Sequence, residues 1–145
     1  MLRSAAEAEY QKRGAEGVER ALALLRHSDE VNMATKEVDE VYRRWPETGY
    51  NADIRAQALA SVNRDQEALA AAEEAIAAWA LGGRAAIVKR AESVRVAAVI
   101  EGHRLGRKKQ AIGRISPMIS ECRAVGLDQG VRILTKLAED LSTDS

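Results

Sequence analysis

Two stretches of this 145-residue sequence align with each other at a spacing of 43 residues. The segment from Val62 to Leu69 matches the segment from Leu105 to Ile112. Further along, the matched pairs are Ile76 with Ile119, Trp79 with Cys122, and Gly83 with Gly126. In each copy a helix ends in an apolar residue, a short polar turn follows, and a second helix ends at glycine. One such hairpin can bury its apolar face only against a neighbour, so the repeat predicts an α-solenoid of antiparallel helical hairpins.

The composition favours the same all-α class. Alanine and leucine dominate the 46% of apolar residues, phenylalanine is absent, and aromatic residues make up 3%. Such a composition suits helices in close contact better than a β-sandwich, which needs β-branched and aromatic residues. Two prolines and ten glycines interrupt the chain, so long stretches run without a helix breaker. We predict about seven helices in a single domain over residues 1–145.

Apolar periodicity and breakers predict where the helices lie. The predicted helices span about residues 4–26, 28–45, 51–62, 66–81, 84–105, 108–126 and 128–141. Residues 1–50 form divergent N-terminal helices in this interpretation, and residues 51–83 and 94–126 are the two best-matching repeats. Residues 127–141 form a C-terminal capping helix.

Particular residues set several of these predicted helix ends. Ser28 is expected to cap the second helix, and the polar run from Asn51 to Asp53 is expected to cap the third. Pro46 and Gly49 are expected to end the second helix.

Two further breakers lie inside predicted helices. Gly14 and Gly17 are expected to weaken the first helix or divide it into two. Pro117 predicts either a kink in the sixth helix or a restart with Ser116 as cap, and a kink could open a pocket there.

The second copy of the turn resembles a known repeat. Gly106-Arg107-Lys108-Lys109-Gln110-Ala111-Ile112 is similar to the tetratricopeptide hairpin, with Asn63 in the glycine position of the first copy. The longer spacing, the alanine-rich helix ending in Gly-Gly, and the run Glu-Cys-Arg-Ala-Val-Gly-Leu-Asp resemble the helical region of bacterial MalT-like, LuxR-type transcription regulators. This resemblance covers roughly residues 55–134.

The resemblance implies a sensor. In that family the region lies between a nucleotide-binding module and a DNA-binding helix-turn-helix, and it binds an effector or partner. This sequence has neither the phosphate-binding glycine loop nor the DNA-binding helix pair. The resemblance therefore implies a cytoplasmic segment that binds a protein, a peptide or a small effector and makes no direct contact with nucleic acid.

Two other functions remain open. The chain could be a scaffold that binds one protein constitutively, or a module that self-associates. Self-association would use apolar residues left partly open at the two ends of the stack, namely Leu2, Val131, Leu134 and Leu137.

The sequence indicates no catalytic or metal site, so we expect no enzyme, no metal and no cofactor. His27 and His103 lack further ligands three or four residues away, and no Ser-His-Asp arrangement is supported by spacing. Cys122 takes the position of Trp79 in the repeat, which predicts a buried, inert thiol. A lone cysteine also fits a reducing cytoplasm.

The charge pattern gives no sign of nucleic-acid or membrane binding. Twenty-two basic residues balance 22 acidic ones, so no net field recruits either partner. No segment approaches the roughly 20 apolar residues that a membrane span needs.

Four residues are the candidate ligand- or partner-binding residues: Trp79, Arg84, Arg95 and Arg107. Trp45 and Trp79 either seal the core or anchor a ligand, since aromatic residues dominate many interfaces. Arg107 belongs to a basic run around one turn, which is either a solvated turn or a contact for an anion or an acidic partner. The other members of this run are Arg104, Lys108, Lys109 and Arg114.

Overall fold

A computed structural model of the chain describes residues 2–34 and 45–143, and these residues are helical apart from short turns. The helices are α1 (Leu2–Ala34), α2 (Trp45–Ser61), α3 (Asp65–Leu81), α4 (Ile87–Val99), α5 (Lys108–Ala124) and α6 (Asp128–Thr143). A 3₁₀ turn, Gly83–Ala86, precedes α4, and a π-helical turn, Ile100–Arg104, extends it.

Helix α1 is divided at Gly14, as the sequence suggested. The φ angle of Gly14 is 58°, in the left-handed region that glycine tolerates best. The two segments of α1 bring the helices in the described residues to seven, while Gly17 stays helical.

The helices pack as sequential antiparallel pairs, which confirms the all-α prediction. Each helix contacts the next one along the chain, from α1 on α2 to α5 on α6. Helix α4 also contacts α6, which is the first helix of the following hairpin.

The internal repeat is a repeat of structure as well as of sequence. Helices α3 and α5 both have 17 residues, and both of their ends show the same 43-residue offset. The turns before them place Asn63 and Gly106 at φ angles of 63° and 71°. The turns after them place Gly83 and Gly126 at 58° and 77°. Each hairpin therefore enters and leaves its second helix through the same left-handed positions.

Two apolar clusters hold the repeats together. The buried members of the first, between α2, α3 and the end of α4, include Ala56, Leu59, Ala68, Leu69, Ala72, Ala97 and Ile100. The buried members of the second, between α4, α5 and α6, include Val94, Ile115, Met118, Cys122, Leu134 and Leu141. Because most residues of the first cluster are alanines, the helix backbones lie close together there.

The end of the stack is more covered than we expected. Leu134 is buried, and Val131 and Leu137 are half-buried against the second cluster. The prediction that Leu134 stays partly open is wrong, because α5 covers the apolar stripe of α6. The side chain of Leu2 lies outside the described residues.

Several predicted helix ends near the N-terminus are wrong. Ser28 lies inside α1 and caps nothing, and most of the predicted second helix falls in residues 35–44, outside the described residues. Pro46 lies in the first turn of α2 instead of ending a helix. A first-turn residue needs no amide hydrogen, so proline is tolerated there. Gly49 lies inside the same helix.

Pro117 does not divide α5. The helix runs from Lys108 to Ala124 through the proline. The hydroxyl of Ser116 donates a hydrogen bond to the carbonyl of Ile112 (3.0 Å), so Ser116 is not a cap and the predicted restart is wrong.

Candidate functional site

Asn51 and Asp53, predicted as caps, lie in the middle of α2 and bridge helices. The side-chain amide of Asn51 donates to Ser28 Oγ (3.1 Å) and to Asp29 Oδ1 (2.9 Å) in α1. Asp53 accepts hydrogen bonds from Trp79 Nε1 (3.1 Å) in α3 and from Ser93 Oγ (2.7 Å) in α4. A short polar side chain can cap a helix or join two, and here neighbouring helices supply the partners.

Asp53, Trp79 and Ser93 form what we call the Asp53 cluster. Trp79 Nε1 also donates to Ser93 Oγ (3.0 Å), so each member contacts the other two. Burial raises the pKa of the Asp53 carboxyl, and the hydrogen bonds from Ser93 and Trp79 act in the opposite direction. The cluster holds α2, α3 and α4 together at one point.

Trp79 belongs to the core and not to a binding surface. Only 1% of its surface is exposed, and its ring meets the edge of Tyr50 at 5.0 Å between centroids. With no face open to a partner, Trp79 fits the core-sealing alternative better than the role of a ligand anchor. The side chain of Trp45 lies outside the described residues.

Two members of the basic run are held in ion pairs between the hairpins. Arg104 donates to Asn63 Oδ1 (2.6 Å) and pairs with Asp65 at 2.9 Å. Arg114 pairs with Glu73 (3.1 Å) and with Glu101 (3.2 Å), whose side chain is buried. Two of the five basic residues in this run, Arg104 and Arg114, therefore connect separate elements of the fold through ion pairs.

Cys122 is buried, as predicted from its place in the repeat. Burial raises the pKa of its thiol, which disfavours the reactive thiolate.

A surface groove runs between α4 and α6, and we call it the α4–α6 groove. It consists of two adjoining cavities of about 520 and 330 Å³ that share Arg95, Gln129 and Ile133. Its apolar lining comes from both helices: Val88, Ala91, Val99, Ile133, Leu134 and Leu137. Its charged lining is Glu92, Arg95, Arg132, Lys136 and Asp140.

The α4–α6 groove contains exposed apolar side chains on both walls. Val88 of α4 is 61% exposed and Ile133 of α6 is 44% exposed. The third large apolar residue this exposed in the described part of the chain is Leu81 (59%), at the end of α3 and outside the groove. Single exposed apolar residues are ordinary, but two facing one groove mark it as a candidate contact surface.

The charges of the groove are unevenly compensated. Arg95 hydrogen-bonds Glu92 one turn away, which raises the pKa of the Arg95 guanidinium. Lys136 pairs with Asp140 at 3.6 Å. Arg132 has no hydrogen bond or ion pair within residues 2–34 and 45–143. Arg132, which lines the larger of the two cavities, is therefore left without a counter-charge among the described residues.

The structure separates the remaining predicted site residues. Arg95 lines the α4–α6 groove, whereas Arg84 lines a different groove of about 290 Å³ between α4 and α5. Arg107 is exposed at the turn before α5 and lines neither groove. Pro117 lines a third groove, of about 370 Å³, with residues of α3, α4 and α5.

Sequence reasoning missed Val88, Arg132 and Ile133. A signal for Ile133 was present, because the buried stripe of α6 follows Leu134 and Leu141 and leaves Ile133 to one side. Nothing comparable marked Val88, since α4 is apolar around much of its circumference.

Comparison with known proteins adds no relative. No family model, no curated protein and no solved structure matches this chain significantly. The resemblance to MalT-like regulators therefore stays a prediction.

None of the helices in residues 2–34 and 45–143 is both long enough and apolar enough to cross a lipid bilayer. The histidine, cysteine and acidic side chains of these residues do not gather in groups of three or more suited to a metal ion.

Proposed function

We propose that this chain is a partner-binding helical-hairpin module, and that the α4–α6 groove receives a segment of the partner protein. The observation that carries this proposal is the exposure of Val88 and Ile133 on opposite walls of one apolar groove with a charged rim. An apolar centre with a polar rim is the usual anatomy of a protein interface.

The open form of the groove favours a protein or peptide over a small effector. Small-molecule sites are typically concave and cover about 70–90% of their ligand's surface. The α4–α6 groove instead follows two helices along the surface, with Val88 and Ile133 exposed to solvent. In a MalT-like regulator, occupation of such a groove would be the event that the sensor reports.

The test is a selection of random peptides on the immobilised chain, followed by affinity measurement against three variants. Val88→Asp and Ile133→Asp place a charge in the apolar lining, and Leu81→Asp makes the same kind of change at an exposed residue outside the groove. All three positions are exposed, so we expect the variants to fold, which circular dichroism verifies.

We expect the selected peptides to lose at least about tenfold in affinity for V88D and I133D and to keep their affinity for L81D. Failure to enrich any peptide, or equal binding to all variants, would refute the proposed function.

A further inference from the structure

We infer that the segment received by the α4–α6 groove is an amphipathic α-helix with an acidic side chain opposite Arg132. This inference rests on the proposed function and goes beyond it by naming the chemistry of the partner.

The walls of the groove favour a helical occupant over an extended one. An extended segment satisfies its backbone by pairing with an exposed strand edge. Both walls here are α-helices, whose amide and carbonyl groups are already bonded within the helix. A helical segment satisfies its own backbone and needs only side-chain contacts.

The dimensions and spacing of the groove also suit a helix. Its lining on α4 extends from Val88 to Val99, which is about 16 Å of helix at 1.5 Å per residue. The lining residues recur at intervals of one helical turn on both walls, so ridges of a third helix can pack between them. About three turns of an amphipathic helix would match this length.

The charges of the groove select the sign of the partner. Glu92 and Asp140 are each paired with a cation of their own helix. Of the charged groups that line the groove, only Arg132 has no partner among the side chains that the structure describes. A docked apolar helix would remove water from Arg132, and burying an unpaired charge is costly. A carboxylate on the partner removes this cost and adds a charge-assisted hydrogen bond.

The experiment uses the full chain and four helical peptides of about 16 residues. Each peptide has one stripe of leucines at positions i, i+4, i+7 and i+11. Three peptides differ only beside that stripe, where they carry glutamate, glutamine or lysine, and the fourth is the glutamate peptide with a central proline. Binding is measured by fluorescence anisotropy to the wild type, to Arg132→Glu and to Arg26→Glu. Arg26 is an exposed arginine of α1 outside the groove, so R26E makes the same change in net charge.

We expect the glutamate peptide to bind at least about tenfold more tightly than the lysine peptide, with glutamine between them. R132E should abolish or reverse this order, whereas R26E should keep it. The proline peptide should lose at least about tenfold in affinity, because proline breaks the helix.

Other outcomes separate this inference from the proposed function. The inference is overturned if the glutamate, glutamine and lysine peptides bind equally, if R26E and R132E have equal effects, or if the proline peptide binds as well as the glutamate peptide. If the peptides bind without these preferences and V88D abolishes their binding, the groove remains a binding site and the proposed function stands. If no peptide binds, the inference fails, and the random-peptide selection decides the proposed function separately.

Discussion

The contact between Gly49 and Trp79 predicts opposite effects for one substitution made in two helices. Gly49 lies inside α2, and a Cβ atom placed on it would lie 2.7 Å from Trp79 Cε2 and 2.8 Å from two further ring atoms. Gly113 lies inside α5, and a Cβ atom there would meet nothing within 4 Å. Gly49→Ala should therefore strain the packing of α2 on α3, while Gly113→Ala should not.

The magnitude follows from two terms. Replacing glycine by alanine inside a helix stabilises it by about 1 kcal/mol, and this term is shared by both variants. Overpacking a core typically costs about 1–3 kcal/mol. Trp79 cannot easily move away, because its indole is held by Asp53 and Ser93. G49A should thus be less stable than G113A by about 1–3 kcal/mol, a gap of roughly 3–9 °C in Tm for a chain of this size.

Urea unfolding followed by circular dichroism measures this gap as a difference in the free energy of unfolding. Trp79→Leu supplies the control, since it removes the ring atoms that the new methyl group would meet. In the W79L background, the gap between G49A and G113A should disappear. If G49A stabilises the wild type as much as G113A does, or if the gap persists in W79L, the packing of Trp79 against Gly49 is refuted.

Three further predictions concern single residues. Burial raises the pKa of Asp53 above its ordinary value of 3.8, so the folded state holds this proton more tightly, and wild-type stability falls as pH rises through the raised pKa. Asp53→Asn removes this pH dependence. Between about pH 4 and pH 7, the free energy of unfolding of the wild type, measured in urea, should therefore fall relative to that of the variant. A difference that stays constant with pH would contradict this. Pro117→Ala should raise the free energy of unfolding by about 1–3 kcal/mol, because Pro117 lies within α5; thermal unfolding checks it, and a lower Tm would count against it. The buried Cys122 should react with iodoacetamide at least about 100-fold more slowly in the native chain than in urea, and equal rates would disprove its burial.

The repeated hairpins could be predicted from the sequence because their signals are local. Helices α3 and α5 begin after a polar turn and end near glycine, and the structure places them within a residue or two of the predicted bounds. Gly83 and Gly126 have left-handed φ angles, which glycine adopts more readily than other residues. The two glycines therefore mark these turns in the sequence itself.

The role of short polar side chains could not be predicted in the same way. Asn51 and Asp53 have the chemistry of helix caps, yet they lie inside α2 because partners in α1, α3 and α4 satisfy them. That choice depends on which helices are neighbours, and no local pattern contains this information.

The residues of the candidate site were even harder to predict, because their roles depend on side chains that are distant in sequence. Arg95 was predicted as a binding residue and lines the α4–α6 groove, but nothing in its own segment distinguished it from Arg84 or Arg107. Whether an arginine is paired, as Arg114 is, or left unpaired, as Arg132 is within residues 2–34 and 45–143, depends on side chains far away in sequence.

The position of the groove follows from what the second repeat lacks. The hydrogen bonds of the Asp53 cluster join α2 to α4, and the Trp79 indole of α3 takes part in them. At the 43-residue offset, Val96, Cys122 and Lys136 replace Asp53, Trp79 and Ser93. These three residues cannot rebuild the cluster, and no side-chain hydrogen bond joins α4 to α6 in the described part of the chain. One interface between neighbouring hairpins is thus joined by side-chain hydrogen bonds, whereas the next is not, and Val88 and Ile133 are exposed beside it.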